Sequence, residues 1–111
     1  MVRSSIALLL LTALVGCGGK ALNIDAATER GFMKDRMQLF SMIGAQDGWQ
    51  GTWAGEVVEL YEFKDADSVN KPFFESATAS RNPSGWVDFC VNKNLAMISK
   101  GKNACKELKK L

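Results

Sequence analysis

The stretch from Val2 to Cys17, VRSSIALLLLTALVGC, constrains this chain more than any other. One positive charge at Arg3 precedes an unbroken apolar run from Ile6 to Leu11, and Leu14-Val15-Gly16-Cys17 follows Thr12 and Ala13. A charged head, a short apolar body and small residues before a cut site describe a secretory signal over residues 1–16. A spanning helix needs about 20 apolar residues, and this run reaches about half of that before Gly18 and Gly19. A buried apolar helix is the weaker reading.

The tetrad Leu14-Val15-Gly16-Cys17 resembles the lipobox of bacterial lipoproteins. The resemblance covers the first sixth of the chain. It implies that the signal is cut before Cys17, that the Cys17 thiol is diacylated, and that the new amino end is acylated as well. An ordinary cleaved signal with an incidental cysteine is the competing reading. Gly18 is not the aspartate that marks retention at the inner membrane in such lipoproteins of Gram-negative bacteria. In such an envelope the resemblance implies the outer membrane, on its periplasmic face. Residues 17–24 then form a lipidated tether, with Gly18-Gly19-Lys20-Ala21 as a short flexible piece.

Removing 16 residues from 111 leaves 95, enough for a single small domain over residues 25–111 that is hard to stabilise by burial alone. Without Arg3 the basic residues exceed the 12 acidic ones by one, which gives no sign of nucleic acid as a partner. The distribution is uneven: acids gather between Asp47 and Glu75, and lysines from Lys93 onward. The basic end reads as a solvated helix face, with a contact to anionic head groups or to an acidic partner as the alternative.

With Cys17 assigned to lipid by the resemblance, Cys90 and Cys105 remain. In an oxidising compartment two remaining cysteines pair, and a loop of about fifteen residues corresponds to roughly 3 kcal/mol of chain entropy. A redox or metal pair lacks C-x-x-C spacing, and the chain has no histidine.

Asp25 reads as the N-cap of a helix over 26–43, with Phe32, Met33, Met37, Leu39, Phe40 and Ile43 on one arc and Gly44 as a left-handed stop. Met33 and Met37 read as core filler, and Met42 lies on the opposite side. A hairpin over 48–53 and 56–63 follows, closed by a three-residue loop with Gly55 at positive φ. A second helix is expected over 68–79, with Pro72 in its first turn and Val69, Phe73 and Ala77 facing the core. Residues 86–91 and 95–98 read as a second hairpin about Asn92-Lys93-Asn94, and 103–110 as a last helix clipped by Cys105. The expected class is α+β: a four-stranded antiparallel sheet of two hairpins with helices on one face, in the order αββαββα.

Catalytic equipment is sparse. Without histidine there is no Ser-His-Asp or Cys-His set and no imidazole for a metal. Glu56, Glu59 and Glu62 offer carboxylates, but on a strand 56 and 62 share one face and 59 takes the other, which spoils a glycosidase pair. A solvated acidic edge that discourages stray pairing is the simpler reading. No cofactor and no metal site are expected. Trp49, Trp53 and Tyr61 are the candidate ligand-binding residues: exposed, they would stack on sugars or anchor a partner, and buried, they would enlarge a small core. The expected function is a non-enzymatic, lipid-anchored envelope protein that works through contacts with an unidentified envelope protein. The alternative is a small glycan- or peptidoglycan-binding module using exposed tryptophans. The turn Gly44 to Trp49 before the strand Val58 to Phe63 also resembles small bacterial lipoproteins, which implies no activity.

Overall fold

The computed structural model describes residues 21–111. The expected signal, Cys17 and residues 18–20 of the tether lie outside the described residues. The protein is α+β, built on one antiparallel sheet of five strands in the order β1-β2-β3-β5-β4. The strands are β1 (Met33–Met37), β2 (Asp47–Trp53), β3 (Glu56–Glu62), β4 (Asp88–Asn92) and β5 (Leu95–Ser99). The helices are α1 (Ile24–Thr28), α2 (Lys71–Ala77) and α3 (Asn103–Leu108). Among the described residues no helix is long and apolar enough to cross a membrane.

The expected helix over 26–43 does not form. Asn23, rather than Asp25, caps α1 by accepting from the Ala26 N–H, and the helix ends at Thr28. Gly31 then turns the chain at φ +108°, a conformation that favours glycine. The next residues pair with β2, which adds a fifth strand to the expected four. Phe32 is buried against Trp53, whereas Met33 and Met37 are 65% and 59% exposed and fill no core. Gly44 does take the left-handed conformation, but it closes a single 3-10 turn, Phe40–Ile43.

Both expected hairpins are present with tighter turns. Trp53 pairs with Glu56, so Ala54 and Gly55 form a two-residue loop, both at positive φ. Asn92 pairs with Leu95, and Lys93 is the residue at positive φ. Asn94 acts through its side chain instead: its Nδ2 donates to the carbonyls of Leu22 and Phe63, and its Oδ1 accepts from the Leu22 N–H at 2.6 Å. The chain is therefore pinned at Leu22, and Ile24, placed in the tether by sequence, is buried in the core.

The second helix is shorter than expected. Asp65 caps a 3-10 turn over Ala66–Ser68, Asn70 caps α2, and Pro72 sits in the first turn as its missing N–H requires. That start places Phe74 on the sheet, fully buried, and leaves Phe73 46% exposed. Trp86 precedes β4 rather than belonging to it, with the Lys100 ammonium 4.5 Å from its ring centroid.

Helices cover both faces of the sheet, not one. Val58 and Leu60 of β3, Leu95 and Met97 of β5 and Cys90 of β4 share a core with Ile24 and Ala27 of α1 and with Ala104, Cys105 and Leu108 of α3. On the other face Tyr61, Ala96 and Ile98 pack with Phe63, Val69 and Phe74, backed by Phe40, Ile43 and Phe89. Strand alternation splits β3 between the two cores residue by residue. The Cys90–Cys105 disulfide, 15 residues apart, ties α3 to β4 across the first core.

Candidate functional site

Glu56 and Glu62 stand at opposite ends of the same face of β3, as the strand spacing requires. They do not form a solvated edge, because β3 lies between β2 and β5 in the middle of the sheet. Glu56 receives the first turn of α3: its Oε1 accepts from the Ala104 N–H at 2.8 Å and its Oε2 from the Asn103 N–H at 2.9 Å. The Ser99 hydroxyl donates to the same carboxylate at 3.0 Å. Gly101 passes directly against it, where a Cβ would collide with the Glu56 carboxylate. Burial pushes the Glu56 carboxyl up, but the Ala104 and Asn103 amides and the Ser99 hydroxyl outweigh it and hold the pKa below the ordinary value. Glu62 does the same for α1 with one bond, from the Ile24 N–H at 3.0 Å. Each carboxylate thus satisfies orphan amide donors at a helix start, where negative charge is also favoured by the helix dipole. Both are committed to holding helices.

Glu59 lies on the other face and accepts the Tyr61 hydroxyl at 2.7 Å. Burial, together with the Glu59 carboxylate, pushes the Tyr61 phenol far above its ordinary value. Tyr61 is therefore a buried, neutral hydrogen-bond donor.

The aromatic candidates do not assemble into one platform. Trp49 and Trp53 share a face of β2, while Tyr61 belongs to the opposite face of β3. Trp53 is only 2% exposed, its indole N–H donating to the Arg30 carbonyl at 3.1 Å, and Tyr61 is 6% exposed. Neither can stack on a sugar ring as placed. Trp49 is half-buried; its indole N–H donates to Asp47 Oδ1 at 3.0 Å, and the Lys34 ammonium sits 4.8 Å from its ring centroid. An open concavity of about 530 Å³ lined by Glu75, Ser76, Ala79, Arg81, Asn82 and Pro83 lies beyond α2. No buried polar group converges on it. Among the described residues no cluster of acidic and cysteine side chains is placed to hold a metal.

Among the described residues, β1 and β4 are the two outer strands, and β1 is the one exposed along its whole length. It is an edge strand whose five residues are all exposed. Met33 pairs with Thr52, and Met37 with Trp49, so the two methionines flank the edge on opposite faces. A register shift between Lys34 and Arg36 marks a bulge at the centre. Bulges, short length and charges such as Lys34-Asp35-Arg36 protect an edge from indiscriminate pairing. Two large apolar side chains at its ends do the opposite. The sequence hid this because those methionines fell on a helical arc with Phe32 and Phe40. The contrary signals were Gly31 and the charged triplet between the methionines.

A scan against protein-family models matches none, and searches of the curated proteins and of the solved structures return no match.

Proposed function

We propose that this chain is a non-enzymatic lipoprotein of the cell envelope, anchored through Cys17, which acts by docking a protein partner along the β1 edge. The observation that carries the reading is the full exposure of β1 with Met33 and Met37 at its two ends. An edge strand offers a row of unpaired amide and carbonyl groups to an incoming strand, and the side chains beside it set the specificity. The anchoring half rests on the Leu14 to Cys17 tetrad and its resemblance to the lipobox. The non-enzymatic half is supported by the absence of histidine from the chain and by the commitment of Glu56 and Glu62 to helix starts. A glycan platform of Trp49, Trp53 and Tyr61 has no such support, since two of the three are buried.

The test is crosslinking in intact cells followed by capture of the native chain, Cys17→Ala and the Met33→Asp/Met37→Asp pair. The reading expects one partner that is lost in both variants, with Cys17→Ala released from the membrane fraction. A partner retained by the methionine pair removes the edge from the account, and a membrane-bound Cys17→Ala removes the anchor.

A further inference from the structure

The Asn94 clamp on Leu22 fixes where the tether leaves the fold, and with it which end of the sheet is held toward a membrane. Leu22 sits beside the turn between β4 and β5, with both of its main-chain polar groups bonded to the Asn94 side chain. The antiparallel register sets what else lies at that end. Glu62 pairs with Asp47 and with Leu95, so the start of β2, the end of β3 and the start of β5 share one pole. The segment from the end of β1 to the start of β2 belongs to the same pole, because the Gln38 N–H donates to Gly48 and the Gln46 N–H to Glu62. The end of α3 returns there too, where Asn92 donates to the carbonyls of Leu108 and Leu111.

Two side chains at this pole are nearly free of protein contact. Leu39 is 78% exposed and Met42 is 79% exposed, the two largest values among the exposed apolar residues. Leu39 precedes the 3-10 turn and Met42 lies within it, while Phe40 and Ile43 of the same turn pack against the core, so the turn is anchored and Leu39 and Met42 are presented outward. We infer that this pole is seated against the lipid bilayer, with Leu39 and Met42 as the contacting side chains. The inference rests on acylation of Cys17, as proposed above. Five residue steps separate Cys17 from Leu22, and fully extended they reach at most about 18 Å. β3 has seven residues and is roughly 23 Å long, so the opposite pole, with Lys102 and the β2–β3 loop, stands well clear of the surface.

Charge does not select this occupant. Lys64, Lys93, Lys109 and Lys110 are exposed at the pole, but so are Asp65 and Asp67. The contact is therefore apolar in character and should not depend on anionic lipid. A partner protein would leave Leu39 and Met42 shielded only when that partner is present; the bilayer is delivered by the tether itself.

The experiment uses the full mature lipoprotein reconstituted into phosphatidylcholine vesicles, with an environment-sensitive fluorophore on Leu39→Cys, Met42→Cys or Lys102→Cys. Acylation of Cys17 is read on the same sample by the mass of its N-terminal peptide. The expected result is blue-shifted emission, quenched by spin-labelled lipid, at positions 39 and 42 and not at 102, unchanged by salt or by added anionic lipid. An acylated chain whose labels at 39 and 42 emit as in water overturns this inference and leaves the anchor standing. A chain not acylated at Cys17 overturns both. A blue shift that grows with protein density and is not quenched by spin-labelled lipid assigns the pole to a second copy and also overturns it.

Discussion

Glu56 shows how one side chain can decide where a whole element goes. Its carboxylate collects the Asn103 and Ala104 amides and the Ser99 hydroxyl, so replacing it leaves the part-buried Ala104 amide and the buried Ser99 hydroxyl without that partner. Losing such bonds costs about 1–3 kcal/mol. Glu56→Ala is expected to fall in that range by urea unfolding, and Glu56→Gln, which keeps one acceptor oxygen, near the lower end. The pH dependence follows from the lowered pKa in the fold. Because the unfolded chain binds the proton more readily, the contribution is complete above the unfolded value and is lost as pH falls through the lower folded value. Unfolding measured from neutral to acid pH should therefore show a steeper acid decline in the native chain than in Glu56→Gln. Gly51 is a second case, steric rather than electrostatic. A Cβ there would meet the Met33 carbonyl and the Phe32 ring, so Gly51→Ala should force β1 away from β2. Hydrogen exchange should then lose protection in the paired amides of residues 33–37 while β3 and β5 stay protected. None of this was visible in sequence, where Glu56 was one acid among several and Gly51 one glycine midway between Trp49 and Trp53.

The elements divide by how their signals arise. The two hairpins were legible because apolar, β-branched and aromatic runs were separated by Ala54-Gly55 and Lys93-Asn94, so local chemistry and tertiary structure agree. The stretch 26–43 was not, because a five-residue helix, an edge strand and a 3-10 turn together imitated one amphipathic arc. An edge strand with both faces exposed has no alternation to display, which removes the usual strand signal. The missing fifth strand follows from that one misreading; the expectation of helices on a single face fails separately, because α2 and α3, both expected, pack on opposite faces. α3 raises a different question, since six residues cannot hold helix alone in water. It depends on burial of Ala104, Cys105 and Leu108, on Glu56 at its start and on the disulfide to β4. The 15-residue spacing gives roughly 3 kcal/mol by the chain-entropy model, a large share of a net stability of about 5–10 kcal/mol. Cys90→Ala/Cys105→Ala should therefore lose about that amount by denaturant unfolding, with protection of the α3 amides falling first. Unchanged stability would show that packing alone holds α3.

At the scale of the molecule, the sheet has two edges: β4, half-buried with α3 and the disulfide on one face, and β1, exposed along its whole length among the described residues. The pinned Leu22 gives the domain a direction: one pole faces the tether, and β1 runs along the side. The anchor proposed at Cys17 rests on a resemblance in the first residues alone, and the docking edge proposed above could be considered only once β1 was found to be a strand. The central claim, that the β1 edge receives a protein partner on an anchored domain, is tested most directly by photo-crosslinking in intact cells. A photoreactive residue would be placed in turn at positions 37 and 75, the latter on exposed Glu75 of α2. The account predicts one discrete adduct at 37, none at 75, and loss of the 37 adduct when Cys17→Ala is added. An adduct at 75 with none at 37, or no adduct at 37 in the anchored protein, would contradict it.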